Sequence, residues 1–413
     1  MKKAEEIGEI MHGLSNKNMQ GVQKDKTSKV YFNVAKFPKL TEMQQATLLL
    51  PKRVKNYSVN GSSVSINIEG HFKMQNFVYR YFDFRPVFDE LDNTRNIAVK
   101  LTFTSEDTIR VQAAEGFSIP VNDTEMIRGF VPREVPVEVS DENGILRIYG
   151  GKLEVIIDKE HWNLQIADKC GKGFYRQFGK DERSFMQHEI CPFGFLYDGS
   201  TNEKFACEAV FFDEDEHFYG FGEKFMSLDR KGHSLNLWNT NALGTNTERA
   251  YKNIPFFISS GNYGVFYNTS SKLQCDMGNT LYKAYSVMVG SDNLDFFVIR
   301  GDSMKDIIPK YTDITGKPNL PPKWSFGIWM SKISYGTREQ VEAVARRMRQ
   351  EQIPCDVIHI DTDWFDENWI CDWKFSEKKF PKVKEMIDSL ADEGFKISLW
   401  QLPYIERGTE SFE

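Results

Sequence analysis

Two carboxylates set two residues apart, Asp361 and Asp363, follow the apolar run Val357-Ile-His-Ile360 and precede Trp364. On an extended strand such a pair faces one way, roughly 7 Å apart at Cα. Cleavage of a glycosidic bond uses two carboxyl groups about 5 to 9.5 Å apart, so the spacing alone invites a nucleophile and an acid. Topology argues against that reading, because two residues of one strand do not readily flank a sugar from opposite sides. A metal site, or a loop in which Asp363 serves as a cap, fits the same pattern. Six of the eight tryptophans, at 324, 329, 364, 369, 373 and 400, fall in the last 90 residues. A single indole is ordinarily a core residue. Six gathered near acidic strand ends suit a sugar ring, which needs flat apolar faces beside hydrogen-bonding carboxylates.

The elements that must hold these residues fall into two halves with different periods. From about residue 30 to 310 the pattern is β. Ile97, Val99, Leu101 and Phe103 alternate with smaller or polar residues, and Asp141-Glu-Asn-Gly144 reads as a hairpin turn between Val135/Val137/Val139 and Leu146/Ile148. Many short, turn-bounded strands imply a β-sandwich. The first residues are polar and read as an arm. Pro318 and Pro321-Pro322 then punctuate the chain. Beyond them an apolar strand at Trp324–Met330 leads to a capping box, Thr337-Arg-Glu-Gln340, and to a helix facing inward through Val341, Val344, Ala345 and Met348. The strand at Val357 comes next. A helix opened by Pro381 follows, with Ile387, Leu390 and Ala391 inward and Gly394 at its end, then a strand at Ile397–Trp400. The expected architecture is a polar arm (1–30), a β-sandwich domain (31–313), and the first β-α-β-α-β portion of a (β/α)8 TIM barrel (314–413). Ligand groups of such barrels sit at the C-terminal strand ends, where Asp361 and Trp400 fall.

Composition narrows the partners. The chain has 413 residues, 40% hydrophobic and 27% charged, with a net charge of −7. An acidic chain of this kind is not built for nucleic acid or an anionic membrane. Six cysteines without a C-x-x-C pairing read as free thiols in a reducing compartment. The N-terminus has no apolar segment behind Lys2 and Lys3, so a cytoplasmic location is expected. The seven histidines show no ligand spacing, and neither metal nor cofactor is expected.

Four segments carry a resemblance: Phe218-Tyr-Gly-Phe-Gly-Glu-Lys-Phe225, Leu237-Trp-Asn-Thr-Asn241, Ala250-Tyr-Lys-Asn-Ile-Pro-Phe256 and Tyr263-Gly-Val-Phe266. Together they resemble the N-terminal sandwich of glycoside hydrolase family 31. The likeness continues through Pro321-Pro-Lys-Trp-Ser-Phe-Gly-Ile-Trp329, His359-Ile-Asp361, Cys371-Asp372, Phe380-Pro381 and Leu399-Trp400. It is strongest to the bacterial α-xylosidase and α-glucosidase branch. The resemblance implies a retaining exo-α-glycosidase that removes terminal α-linked xylose or glucose from oligosaccharides by double displacement. It also implies that Asp361 bonds hydroxyls of the non-reducing-end sugar, that Thr362 and Trp400 wall the same subsite, and that Asn241 lies in a loop reaching towards the leaving group. The candidate substrate-binding residues are therefore Asp361, Thr362, Trp400, Asn241 and Asp363.

There are departures. Relatives often carry Arg-Asp where this chain has Thr240-Asn241, and the α-xylosidase pattern has an aromatic near Ser334, where Tyr335 is adjacent. In the family the nucleophile follows the fourth barrel strand and the acid comes later. Neither is matched before Glu413, so no catalytic residue is assigned and the chain by itself is expected to be inactive. Half a barrel is also expected to expose Val357, Ile358, Ile397 and Leu399. A non-catalytic carbohydrate-binding protein is the alternative reading. Homo-oligomers occur among relatives, and no residue here fixes a stoichiometry.

Overall fold

The computed structural model describes residues 46–413 apart from 81–82, 123, 179–190, 243–247, 368 and 403–404, and the backbone alone over 75–90. The expected polar arm lies outside the described residues. The chain divides into two units, one ending at Lys317 and one beginning at Pro318.

Among the described residues of the first unit 18 strands form one hydrogen-bonded network, and every pairing between them is antiparallel. The alternation seen in the sequence is the cause. Ile97, Val99, Leu101 and Phe103 are each at most 1% exposed, while Lys100 and Thr102 between them are half-buried. They meet Ile148, Val155, Tyr175, Phe218, Val265 and Phe296 from other strands in one core, so the network folds its faces together as a sandwich. Strands Val137–Glu142 and Ile145–Gly150 are joined through Asn143 (φ 53°) and Gly144 (φ 79°). Two left-handed residues in a two-residue turn are what an Asn-Gly hairpin supplies. The helix Met304–Thr315 closes the unit, capped by Ser303 and stopped at Gly316.

The second unit is a parallel sheet of three strands, Trp329–Lys332, Val357–Ile360 and Lys396–Leu399, in that order. Helices Arg338–Gln350 and Val383–Asp392 cross between them. Thr337 caps the first helix, accepting from Gln340 N, while Gln340 Oε1 reaches back to Gly336 N at 3.0 Å. The reciprocal bond is that of a capping box, displaced by one residue. Val341, Ala345, Ile358, Ile360, Met386, Leu390 and Phe395 form the core.

Four expectations are corrected. The first strand does not run from Trp324, because Lys323–Phe326 is a 3-10 turn and the strand starts at Trp329. Pro322 leads into the turn, and both the backbone N and Oγ of Ser325 bond its carbonyl, at 2.9 and 2.7 Å. Pro381 does not open the second helix. Lys382 is its N-cap in a left-handed conformation (φ 54°), and Arg338 Nη1 binds the carbonyls of Pro381 and Lys382 at 3.0 and 3.3 Å. Ala391 is exposed, and the inward stripe is Val383, Met386, Ile387 and Leu390, the i, i+3, i+4, i+7 pattern. Val357 and Ile358 are fully buried, and Ile397 and Leu399 half-buried. The exposed apolar groups lie instead along the first strand and its flanks, at Phe326, Ile328, Trp329 and Ile333. Among the described residues no helix is long and apolar enough to cross a membrane.

Candidate functional site

Two adjoining strand ends of the parallel sheet carry four of the five candidate residues. At Ile360 the second strand stops, because Asp361 (φ −82°, ψ −171°) turns the chain into a 3-10 helix, Thr362–Trp364. Asp361 Oδ1 accepts from Thr362 N at 2.8 Å, and its carbonyl accepts from Asp363 N at 2.7 Å. The two aspartates therefore do not share one face of an extended strand. An aspartate that caps its own turn satisfies an otherwise unpartnered backbone N–H. Asp361 is half-buried, and its Oδ2 makes no hydrogen bond among the described residues.

Thr362 is buried, at 3% exposure, and its Oγ1 lies 3.0 Å from Ser334 Oγ in the loop after the first strand. Asp363 is tied elsewhere. Lys379 Nζ donates to Asp363 Oδ1 at 3.2 Å and to Phe365 O at 2.7 Å. That ammonium fastens the turn from outside, and nothing in the local sequence signals a partner 16 residues away.

On the third strand Trp400 continues the ladder, its N–H bonding Ile360 O at 2.9 Å. Its own carbonyl accepts from Trp364 Nε1 at 2.7 Å. Its ring is half-buried and meets Trp369 edge to face, with centroids 5.2 Å apart at 77°. His359 Nδ1 and Ser398 Oγ, 3.1 Å apart, tie the same two strands. Asp361, Thr362 and Trp400 are thus gathered on adjoining strand ends, with Asp363 one step removed. Trp364, Trp369, Ser334 and Lys379 complete the arrangement.

Backbone strain collects here too. Ser334, Trp369 and Trp373 have φ of 67°, 69° and 60°, conformations that cost an L-residue roughly 1–2 kcal/mol each and concentrate at functional loops. Tyr335, the aromatic beside Ser334, turns away into the core. It is fully buried, and its hydroxyl has no partner among the described residues.

Asn241 belongs to the other unit. It is exposed and accepts at Oδ1 from Tyr251 Oη at 2.5 Å, in a segment held by Thr240 N to Ala250 O at 3.1 Å. What the parallel unit offers chemically is a half-buried carboxylate with one oxygen uncommitted among the described residues, a part-buried hydroxyl pair and an indole face. That combination accepts hydroxyl donors beside a flat apolar ring.

Residues 98–276 match the family model for the glycosyl hydrolase 31 N-terminal galactose mutarotase-like domain, and residues 318–413 match the glycosyl hydrolases family 31 TIM-barrel domain. The chain is 31% identical over 293 residues to an alpha-xylosidase of Emericella nidulans, covering 67% of this chain and 37% of that protein. It is 27% identical over 318 residues to alpha-glucosidase 2 of Bacillus thermoamyloliquefaciens, covering 76% and 37%. Among solved structures it superposes on the GH31 dextranase of Flavobacterium johnsoniae complexed with glucose, with a TM-score of 0.69 and 25% identity, over 87% of this chain and 39% of that one. The chain thus spans somewhat over a third of the length of these relatives.

Proposed function

The chain belongs to glycoside hydrolase family 31, and we propose that it supplies the sugar-recognition portion of a retaining exo-α-glycosidase acting on terminal α-linked xylose or glucose. One observation above all supports this: Asp361 stands at a parallel strand end with Oδ2 uncommitted among the described residues, on the strand adjoining that of Trp400. In it, the Asp361 carboxylate accepts two hydroxyls of the non-reducing-end sugar. Such charge-assisted bonds are about twice as strong as neutral ones. Trp400 offers its face to the ring, Thr362 and Ser334 close one wall, and Asp363 acts through Lys379 to hold the turn. Asn241 is proposed as a leaving-group contact on the sandwich unit.

A serine at 334, with Tyr335 withdrawn into the core, favours a pocket roomy enough for a hydroxymethyl group. Glucose is therefore proposed to be accepted alongside xylose. The resemblance puts both catalytic carboxylates later than the third barrel strand, and the proposed role of these 413 residues is binding.

Titration of the chain with methyl α-glucoside and methyl α-xyloside, followed by tryptophan fluorescence, tests this. Saturable binding of both is expected, weakened at least tenfold in Asp361→Asn. Binding indifferent to that substitution, or release of nitrophenol from aryl α-glycosides by the chain alone, would overturn the reading.

A further inference from the structure

The sandwich unit carries a cavity that the proposed function does not use. It is an open depression of about 580 Å³ whose lining includes Arg95, Asn96, Glu115, Phe117, Lys204 and Asp292. Small-ligand sites span about 300 to 1,000 Å³, so the size is right for a short oligosaccharide.

Its polar groups are organised around Glu115, the last residue of strand Thr108–Glu115. Arg95 Nη1 and Tyr197 Oη both donate to that carboxylate, and Lys204 Nζ stands 3.9 Å from it and 5.3 Å from the centre of the Tyr197 ring. Burial works to raise the Glu115 carboxyl, but the hydrogen bonds from Tyr197 and Arg95 outweigh it and hold the group below its ordinary value. Arg95 and Lys204 balance Glu115 and Asp292 in formal charge, so neither an anion nor a cation gains a net attraction. What remains is a dense set of fixed donors and acceptors, the chemistry that recognises hydroxyls.

Two further residues line the same depression. Asn96 is 5% exposed; its Nδ2 donates to Gly116 O at 2.8 Å, yet its Oδ1 has no partner among the described residues. A buried acceptor left so is a standing cost that a donor relieves. Phe117, 80% exposed, presents a flat apolar ring to water beside this polar cluster. Gly116 precedes it at φ 102°, with open space where a Cβ would stand.

We propose that this depression is a second saccharide site, carried by the sandwich unit and independent of Asp361, which takes a neutral oligosaccharide. Phe117 lies against a sugar ring while the Arg95–Glu115–Lys204 cluster meets its hydroxyls. An open site with a single aromatic platform binds weakly, with Kd on the order of 1 mM.

Maltotriose titrated by calorimetry and by protein NMR into the full chain, into Phe117→Ala, into Phe117→Trp and into Asp361→Asn decides the matter. Phe117 is exposed, so its variants leave the core untouched, and unchanged thermal melting of Phe117→Ala and Phe117→Trp checks this. The expected result is saturable binding that survives Asp361→Asn, weakens at least fivefold in Phe117→Ala and is retained or tightened in Phe117→Trp. Complete loss of binding in Asp361→Asn overturns the second site and leaves the barrel reading standing. Equal affinity in Phe117→Ala and the unaltered chain also overturns it, as does an absence of saturable binding. Binding lost in Phe117→Ala but untouched by Asp361→Asn keeps the second site and removes the barrel one.

Discussion

Glu208 is a carboxyl group shut away from water, 0% exposed in the sandwich core. Tyr175 Oη and Tyr267 Oη donate to its two oxygens at 2.5 and 2.6 Å. Burial pushes the group up to about 7, against the opposing pull of those two hydroxyls. A folded value above the unfolded one means the fold favours the protonated acid. Its stabilising contribution is complete below the ordinary carboxylate range and is lost as pH rises through about 7. The span corresponds to something on the order of 3 kcal/mol. Thermal melting of the sandwich unit should therefore fall between pH 5 and pH 8, and Glu208→Gln should flatten that slope. A slope unchanged in the variant would show that the proton is held elsewhere. Asp361 and Asp363 make the complementary point at the same scale. Their sequence spacing suggests an equivalent pair, but the 3-10 turn separates them into a carboxylate with an open oxygen and one fastened by Lys379.

Elements were legible where the signal is local. The Asn143-Gly144 hairpin, the Thr337 cap and the Gly394 stop are read from residues within a few positions of each other, and each forms as its chemistry dictates. Replacing Thr337 with Ala should cost about 1 kcal/mol, seen as a lower melting temperature of the parallel unit. The misread elements depend on distant partners. Lys382 takes its left-handed conformation where Arg338 grips the carbonyls beside it, and the strand start moves from Trp324 to Trp329 because Pro322 and Ser325 build a turn. The helix Val383–Asp392 tests the corrected register. Met386→Ala, which empties a fully buried position, should destabilise by about 2–5 kcal/mol, whereas Ala391→Glu on the exposed side should be close to neutral. The reverse order would mean the helix is rotated. Lys379 has no sequence signal at all, yet it ties the turn that carries Asp361 and Thr362. Lys379→Met should weaken methyl α-glucoside binding several-fold, and Lys379→Arg should recover part of it.

For the whole molecule, the change from β alternation to helical period after Pro318 anticipated the two kinds of unit, because period reports which faces are buried. The expected exposure of Val357 and Ile358 failed for the same reason inverted: burial is set by packing, and both are covered. Apolar surface appears instead at Phe326, Ile328, Trp329 and Ile333, on the strand Trp329–Lys332 and its flanks, which among the described residues is paired on one side only. An unpaired apolar edge invites association. Sedimentation should show concentration-dependent self-association that Ile333→Lys reduces, and a strictly monomeric chain at all concentrations would contradict this.

In the proposed function Asp361, Thr362 and Trp400 form a sugar-recognition site at the parallel strand ends. A crystal structure of the chain soaked with glucose tests it most directly. A sugar is expected whose hydroxyls lie within hydrogen-bond distance of Asp361 Oδ2 and whose ring rests on Trp400. A chain crystallised with that carboxylate accessible, soaked to saturation, and showing no sugar at Asp361 would contradict it.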